Sequence, residues 1–172
     1  MKGLIALDID GTLTSHLHTL SPNVALCLQE LAEQNWAISL ITGRCYSFSL
    51  PILQFLHFPF CIALQNGAII LQMPDKKMLG KQCLDRSIIP HMSRICDKEP
   101  TDFVLYTGPE NDDRCYYRPS LFDEELRSYL EKRTKDFNES WYSVEDWSEV
   151  PSNEFTSVKC FGRIESLRRI TS

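Results

Sequence analysis

Asp8-Ile9-Asp10-Gly11-Thr12 sets two carboxylates one residue apart, and Gly11 then lets the backbone turn away from them. A carboxylate is a competent nucleophile toward phosphorus: it forms an acyl phosphate that water later opens, while a second carboxylate gives and takes the proton. Asp8 is therefore expected to be the nucleophile and Asp10 the acid/base. Two anions facing a phosphoryl group need a cation. Carboxylate oxygens, substrate phosphate and water together match the preferences of Mg²⁺, the expected cofactor.

A second group follows at Thr42-Gly43-Arg44, where a hydroxyl and the amides of Gly43 and Arg44 at a helix start would make an anion site. Asn66-Gly67 reads equally as turn chemistry and as a substrate contact. The expected phosphate- and substrate-binding set is Gly11, Thr12, Thr42, Gly43, Arg44 and Asn66. His16 and His18 read as solvated loop residues rather than site residues.

The elements that must position these groups are legible in the pattern. Gly3 to Leu7 is a short apolar run ending at acidic residues, the mark of a buried parallel strand entering a functional loop. Ser21-Pro22 starts a helix predicted to run to about Gln34, and Trp36 to Ile41 is a second strand. A helix over Cys45 to Leu56 and a strand over Phe60 to Leu64 follow. Strand-helix-strand repetition implies a parallel sheet with right-handed crossovers, and ligands of such sheets sit beyond the carboxyl ends of the strands. Both motifs fall there. Asn-Gly between the apolar runs Cys61 to Leu64 and Ala68 to Leu71 signals a hairpin.

After Pro74-Asp75-Lys76-Lys77 the texture changes, so two domains are expected, 1–75 and 76–172. The second reads as helix, two strands, helix, two strands. Asp85 would cap a helix carrying Ile88, Ile89, Met92, Ile95 and Cys96. Phe103 to Tyr106 and Arg114 to Tyr117 are predicted strands, and Leu121 to Lys132 a helix. Strands over Trp141 to Trp147 and Phe155 to Phe161, then a helix from Ile164 to Ile170, complete the chain. Trp141, Tyr142 and Trp147 read as core of this domain.

The Asp8 motif resembles the first signature of the haloacid dehalogenase-like superfamily of phosphatases, and Thr42 matches its second. Ile41-Thr42-Gly43-Arg44, then Asn66-Gly67-Ala68, then a long αββ insertion is similar to the Cof-type branch with a large α/β (type IIB) cap. The resemblance covers almost the whole chain. It implies an α/β fold, a Rossmann-like parallel-sheet core with a second α+β cap domain. It also implies that Asp8 and the Asp10 main-chain carbonyl hold Mg²⁺ and that Thr42 hydrogen-bonds the transferring phosphoryl group. The superfamily's third-motif Lys and fourth, Gly-Asp-x-x-x-Asp-like motif have no counterpart here: Lys159 reads as a cap strand and Asp112-Asp113 as a cap turn. The chain is thus expected to stop inside the cap.

Composition sets outer bounds. Among 172 residues, 43% are hydrophobic and 24% charged, which suits a globular chain, and a net charge of −5 disfavours nucleic acid as partner. Seven scattered cysteines without a C-x-x-C pair read as reduced thiols. Absence of a signal-peptide pattern and of ~18 uninterrupted apolar residues points to a cytoplasmic protein without membrane association. The expected partner is a small phosphorylated metabolite, a sugar phosphate or phosphorylated cofactor hydrolysed through an aspartyl phosphate. The alternative is a non-catalytic phospho-ligand binding or assembly module of the same fold. An exposed core edge would favour homo-oligomers.

Overall fold

The computed structural model describes residues 1–14, 16, 19–136 and 139–171, so His18 lies outside the described residues. The chain divides into two compact units, Met1–Gln82 and Cys83–Ser172.

The first unit is a five-stranded sheet in the order β1-β2-β3-β4-β5. Strands β1 (Gly3–Asp8), β2 (Trp36–Ile41) and β3 (Phe60–Leu64) are parallel, while β4 (Ile69–Met73) and β5 (Lys77–Lys81) extend the sheet antiparallel. Helices α1 (Pro22–Glu33) and α2 (Tyr46–Leu53) provide the crossovers. Alternate residues Ile38, Leu40, Ile62, Leu64, Ile69 and Leu71 pack with Leu28, Ile52 and Leu53 of the helices, which is the period-two burial the apolar runs demand. Helix α1 stops where Asn35 adopts a left-handed conformation (φ 67°); its N–H donates to Ala32 O (2.9 Å) and its carbonyl accepts Lys2 N–H (2.8 Å). Helix α2 ends at Leu53 rather than Leu56 because Phe55 and Leu56 donate to Ile52 and Leu53, three residues back, tightening the chain out of the α-helical ladder.

The Asn-Gly signal marks a true hairpin, with Phe60 to Leu64 paired to Met73 to Ile69. Strand β5 pairs with β4 through Lys77–Gln72 and Lys81–Ile69. The compact division accordingly falls after Gln82 and not at residue 75: the polar Pro74-Asp75-Lys76 segment is the turn of a second hairpin.

The second unit holds a four-stranded sheet, ordered β11-β7-β8-β9, and a two-stranded pair, β10-β6. Its elements are β6 (Leu84–Asp85), α3 (Ile88–Cys96), β7 (Asp102–Tyr106), β8 (Arg114–Tyr117), α4 (Glu124–Asp136), β9 (Ser140–Ser143), β10 (Glu154–Phe155), β11 (Ser157–Phe161) and α5 (Ile164–Thr171). Strand β7 is buried on both faces: Phe103 and Leu105 join Ile89, Trp147, Val150 and Phe155, while Val104 and Tyr106 join Cys115, Phe122 and Leu130.

Side-chain caps set the boundaries that apolar spacing misplaces. Helix α4 begins three residues later than predicted because Asp123 Oδ1 accepts Leu126 N–H (2.8 Å). Strand β9 stops before Trp147 because Asp146 and Glu149 form a reciprocal capping box around the 3₁₀ turn Trp147–Glu149. Asp85 accepts Ser87 N–H (2.7 Å), one residue ahead of α3, so it closes a turn into the helix while Ser87 occupies the cap position. Trp141 and Trp147 pack in the interior as expected, whereas Tyr142 is exposed. No helix among the described residues is long and apolar enough to cross a membrane.

Candidate active site

Asp8 is the last residue of β1 and lies in register with Ile41, the last of β2, so the two motifs leave adjacent strands at the same level. Beyond Asp8 the chain winds around the carbonyl of buried Ile9, which accepts the amides of Leu13 and Thr14 (both 3.1 Å) and the hydroxyl of Thr14 (3.2 Å). Gly11 completes this winding with φ 77°, where a side chain would strain the backbone, and donates its N–H to Thr14 O (3.0 Å). The result leaves Asp8, Asp10, Gly11 and Thr12 exposed. Thr12 Oγ1 donates to Asp8 Oδ2 (3.4 Å).

The second motif is buried where the first is open. Thr42 is 2% exposed, and its Oγ1 accepts Arg44 N–H (3.1 Å), which leaves the hydroxyl hydrogen to donate elsewhere. The Arg44 side chain turns toward the first motif: Nε donates to Asp10 Oδ2 (3.0 Å) and Nη2 to Asp10 Oδ1 (2.5 Å). Its guanidinium lies 4.2 Å from the Phe48 ring centroid, and Nη1 donates to Phe48 O (3.4 Å). Besides the amide expected at the anion site, Arg44 thus brings its side chain to the first motif. Its side chain positions Asp10, and Phe48, in the first turn of α2, supplies the shelf.

The β3–β4 turn closes the group. Asn66 N–H donates to Thr42 O and Gln65 N–H to Arg44 O (both 2.9 Å), so the turn is laced to the second motif. Gln65 and Asn66 have positive φ (48° and 60°), backbone strain of the kind that tertiary contacts must over-determine, and Gly67 (φ 94°) continues the turn without that cost. A Cβ on Gly43 would stand 3.1 Å from Asn66 Oδ1, so Gly43 is where Asn66 leans on the second motif. Gln65 and Phe48 are the parts the sequence did not single out. Neither belongs to a short motif, and a side chain's direction after a strand end is not carried by periodicity.

Four residues considered in the sequence belong elsewhere in the chain. His16 is exposed and forms a bridge with Thr19. Lys159 belongs to β11 of the second unit, its ammonium 4.5 Å from the Tyr106 ring, and Asp112-Asp113 to the β7–β8 turn.

For a metal, the described residues contain no cluster of three or more His, Cys, Asp or Glu side chains. The Asp8 carboxylate is open and the Asp10 carboxylate is taken by Arg44, which leaves a carboxylate and main-chain carbonyl oxygens as donors. Hard oxygen donors in that number fit Mg²⁺, which takes one or two carboxylates and fills its shell with water and phosphate.

Residues 5–170 match the family model of the haloacid dehalogenase-like hydrolases. The chain belongs to that family. A Mycoplasma pneumoniae relative bearing the name "Putative phosphatase" is 31% identical over 104 residues, which cover 60% of this chain and 36% of the relative. A haloacid dehalogenase-like hydrolase from Bacteroides thetaiotaomicron shares the fold with a TM-score of 0.75 at 20% identity, over 97% of this chain and 60% of that one. A solved subclass IIB sugar phosphatase of the superfamily matches with a TM-score of 0.67 at 19% identity, over 99% of this chain and 62% of that one. The α/β fold expected from the motifs is thus the family's fold, and this chain spans about 60% of the length of the solved chains it matches.

Proposed function

We propose that the protein hydrolyses a small phosphomonoester, a sugar phosphate or phosphorylated cofactor, through an aspartyl phosphate on Asp8. The observation that carries this reading is the Arg44–Asp10 pair, which joins two sequence motifs into one constellation at the ends of β1 and β2. The similarity to a subclass IIB sugar phosphatase supports the substrate class.

In this reading an Asp8 carboxylate oxygen attacks phosphorus, forming the Asp8–phosphorus bond as the ester oxygen departs. Thr42 donates its hydroxyl hydrogen to a non-bridging phosphoryl oxygen, its own oxygen being fixed by Arg44 N–H. Asp10 protonates the leaving oxygen, then takes a proton from the water that opens the acyl phosphate, so phosphate leaves and Asp8 is restored. With both of its oxygens bonded to Arg44, Asp10 is arranged as the base of the second half; acting as acid requires it to release one of those bonds. Asp8 and the Asp10 main-chain carbonyl would hold Mg²⁺. When bound, that ion offsets the repulsion between carboxylate and phosphate.

Phosphate release from a panel of sugar phosphates and phosphorylated cofactors, with Mg²⁺ or with chelator, tests the proposal. Mg²⁺-dependent release that Asp8→Asn abolishes is expected. Release by a folded Asp8→Asn protein, or none from any ester by the folded wild type, would overturn it.

A further inference from the structure

Two thiols that take no part in the reaction described above meet in the second unit. Cys96 is the last residue of α3, and Cys160 lies in β11, paired with Phe103 of β7. Both belong to the core layer that Phe103 and Leu105 share with Ile89 and Trp147, whereas Cys115 lies in the layer on the other face of β7. Within their layer the Cys96 S–H donates to Cys160 Sγ. Both cysteines are free.

The backbone on either side of this contact is tied together. Thr101 Oγ1 donates to Phe161 O, and Asp102 pairs with Phe161, so the loop that follows Cys96 lies against the end of the strand that carries Cys160. A Cβ on Gly162 would stand 2.7 Å from the same Thr101 Oγ1. Glu99 N–H donates to Cys96 O (2.9 Å), and the Glu99 carboxylate accepts Arg169 of α5 (2.6 and 2.7 Å). The end of α3 and the edge strand β11 are thus fixed side by side without a covalent link.

The two thiols are not equivalent. Cys96 is 5% exposed, whereas Cys160 is partly open to solvent. Accepting the Cys96 hydrogen bond holds the Cys160 thiol below its ordinary value, while giving that bond, together with burial, pushes the Cys96 thiol up. Cys160 is therefore the sulfur that carries thiolate and has access to solvent, and Cys96 is the protonated partner behind it. A thiolate in reach of solvent with a second thiol against it is the arrangement of an oxidisable cysteine and its resolving partner.

We propose that Cys96 and Cys160 form a reversible disulfide on exposure to hydrogen peroxide, a modification site that staples α3 to β11. The Cys160 thiolate attacks one peroxide oxygen; the O–O bond breaks, hydroxide leaves and a sulfenic acid stays on Cys160. The Cys96 sulfur then attacks the Cys160 sulfur. The S–S bond forms, the S–O bond breaks, and the departing oxygen takes the Cys96 proton and leaves as water. Two electrons pass from the thiols to the peroxide, and a dithiol returns them by exchange. The closed loop runs through β7, β8, α4, β9 and β10, so the bond restrains the unfolded chain far more than the folded one.

The test treats the folded full chain with graded hydrogen peroxide, quenches with catalase, and blocks the remaining thiols with iodoacetamide in denaturant. Tryptic peptides from the monomer band of a non-reducing gel are then mapped without reduction. The expected result is a Cys96–Cys160 linked peptide as the first disulfide to appear, lost after dithiothreitol. In Cys96→Ser, Cys160 should stop at the sulfenic acid and be trapped by dimedone; in Cys160→Ser, Cys96 should stay reduced at the same dose. The wild-type map decides the matter even where a variant fails to fold. Recovery of Cys96 and Cys160 as blocked thiols at a dose that oxidises the other cysteines or the methionines would overturn the proposal, as would a first disulfide that joins either of them to another cysteine.

Discussion

Arg44 reaches from the end of β2 to grip both oxygens of Asp10, at 3.0 and 2.5 Å, while its own amide fixes the hydroxyl of Thr42. In the proposed reaction, one residue thereby orients both the acid/base and the hydroxyl that donates to the phosphoryl group. Arg44→Met should lower kcat by about 10²-fold or more, since small misplacements of reacting groups cost that much. KM should change far less, because Thr42 and the backbone donors remain. Steady-state kinetics on sugar phosphates would separate the two constants; an unchanged kcat would remove Arg44 from its positioning role.

Asp8 and Asp10 should fail differently when changed. In the proposed reaction Asp8→Asn removes the nucleophile and should leave no acyl phosphate. In the same reaction Asp10→Asn keeps the nucleophile but removes the acid of the first step and the base of the second, so with an aryl phosphate, whose leaving group needs no proton, the phosphorylated enzyme should accumulate. Rapid quench followed by intact mass measurement distinguishes them: an adduct in Asp10→Asn and none in Asp8→Asn is the expected pair of results.

Much of this arrangement was readable from residues, and the boundary of legibility has a physical cause. Strands β1, β2 and β3 were plain because a parallel strand needs a continuous apolar run, and each ends in a motif whose residue types are dictated by chemistry. Strand β5 was not, because Lys77-Met78-Leu79-Gly80-Lys81 lies along the sheet edge, largely exposed, and carries no alternation to reveal it. Arg44 was placed in the site for its amide, but its grip on Asp10 spans 34 residues and depends on a side-chain direction that no local pattern encodes. The helix and strand ends in the second unit were misjudged where Asp123 and Asp146 cap them, since apolar spacing says nothing about a cap.

The ion pair of Asp102 and Arg118 anchors the second unit. Asp102 is fully buried, Arg118 is 18% exposed, and two bonds of 2.8 and 3.0 Å join them beneath the Trp147 ring, 4.8 Å from the guanidinium carbon. Removing one partner strands the other charge in the interior, which costs about 3–5 kcal/mol. Arg118→Met should destabilise this unit by that order, read in urea through tryptophan fluorescence, since Trp147 stacks on Phe103 in the same core. A loss below about 1 kcal/mol would show that the pair is not an anchor.

Glu99 and Arg169 tie the start of the loop after α3 to α5, through bonds of 2.6 and 2.7 Å. Arg169 holds the Glu99 carboxyl below its ordinary value of 4.5. A carboxyl lowered on folding stabilises the protein above its unfolded value, and that contribution is lost as pH falls through the lowered one. Wild type should therefore be more stable than Glu99→Gln at neutral pH, with the gap closing as pH falls below the ordinary value of 4.5. Because Arg169 is 59% exposed, added salt should narrow the gap as well. Parallel urea titrations across this pH range would measure it, and a gap independent of pH would exclude the ion pair as its source.

The first unit has one face of its sheet left open. Leu4 is 63% exposed, Ile41 43% and Ile70 37%, all on the side opposite the α1 and α2 core, and β1 stands at the end of the strand order. Parallel strands are almost always covered on both faces, and an unpaired edge is a template for another strand. We propose that the isolated chain associates with itself through this surface. Sedimentation velocity should show concentration-dependent growth in the micromolar range, suppressed in the double variant Leu4→Lys, Ile70→Lys, whose side chains lie outside the core and leave the fold intact by circular dichroism. Wild-type protein that remains monomeric at tens of micromolar would rule the surface out as a self-association site. Association that survives in the double variant would place the interface on another face.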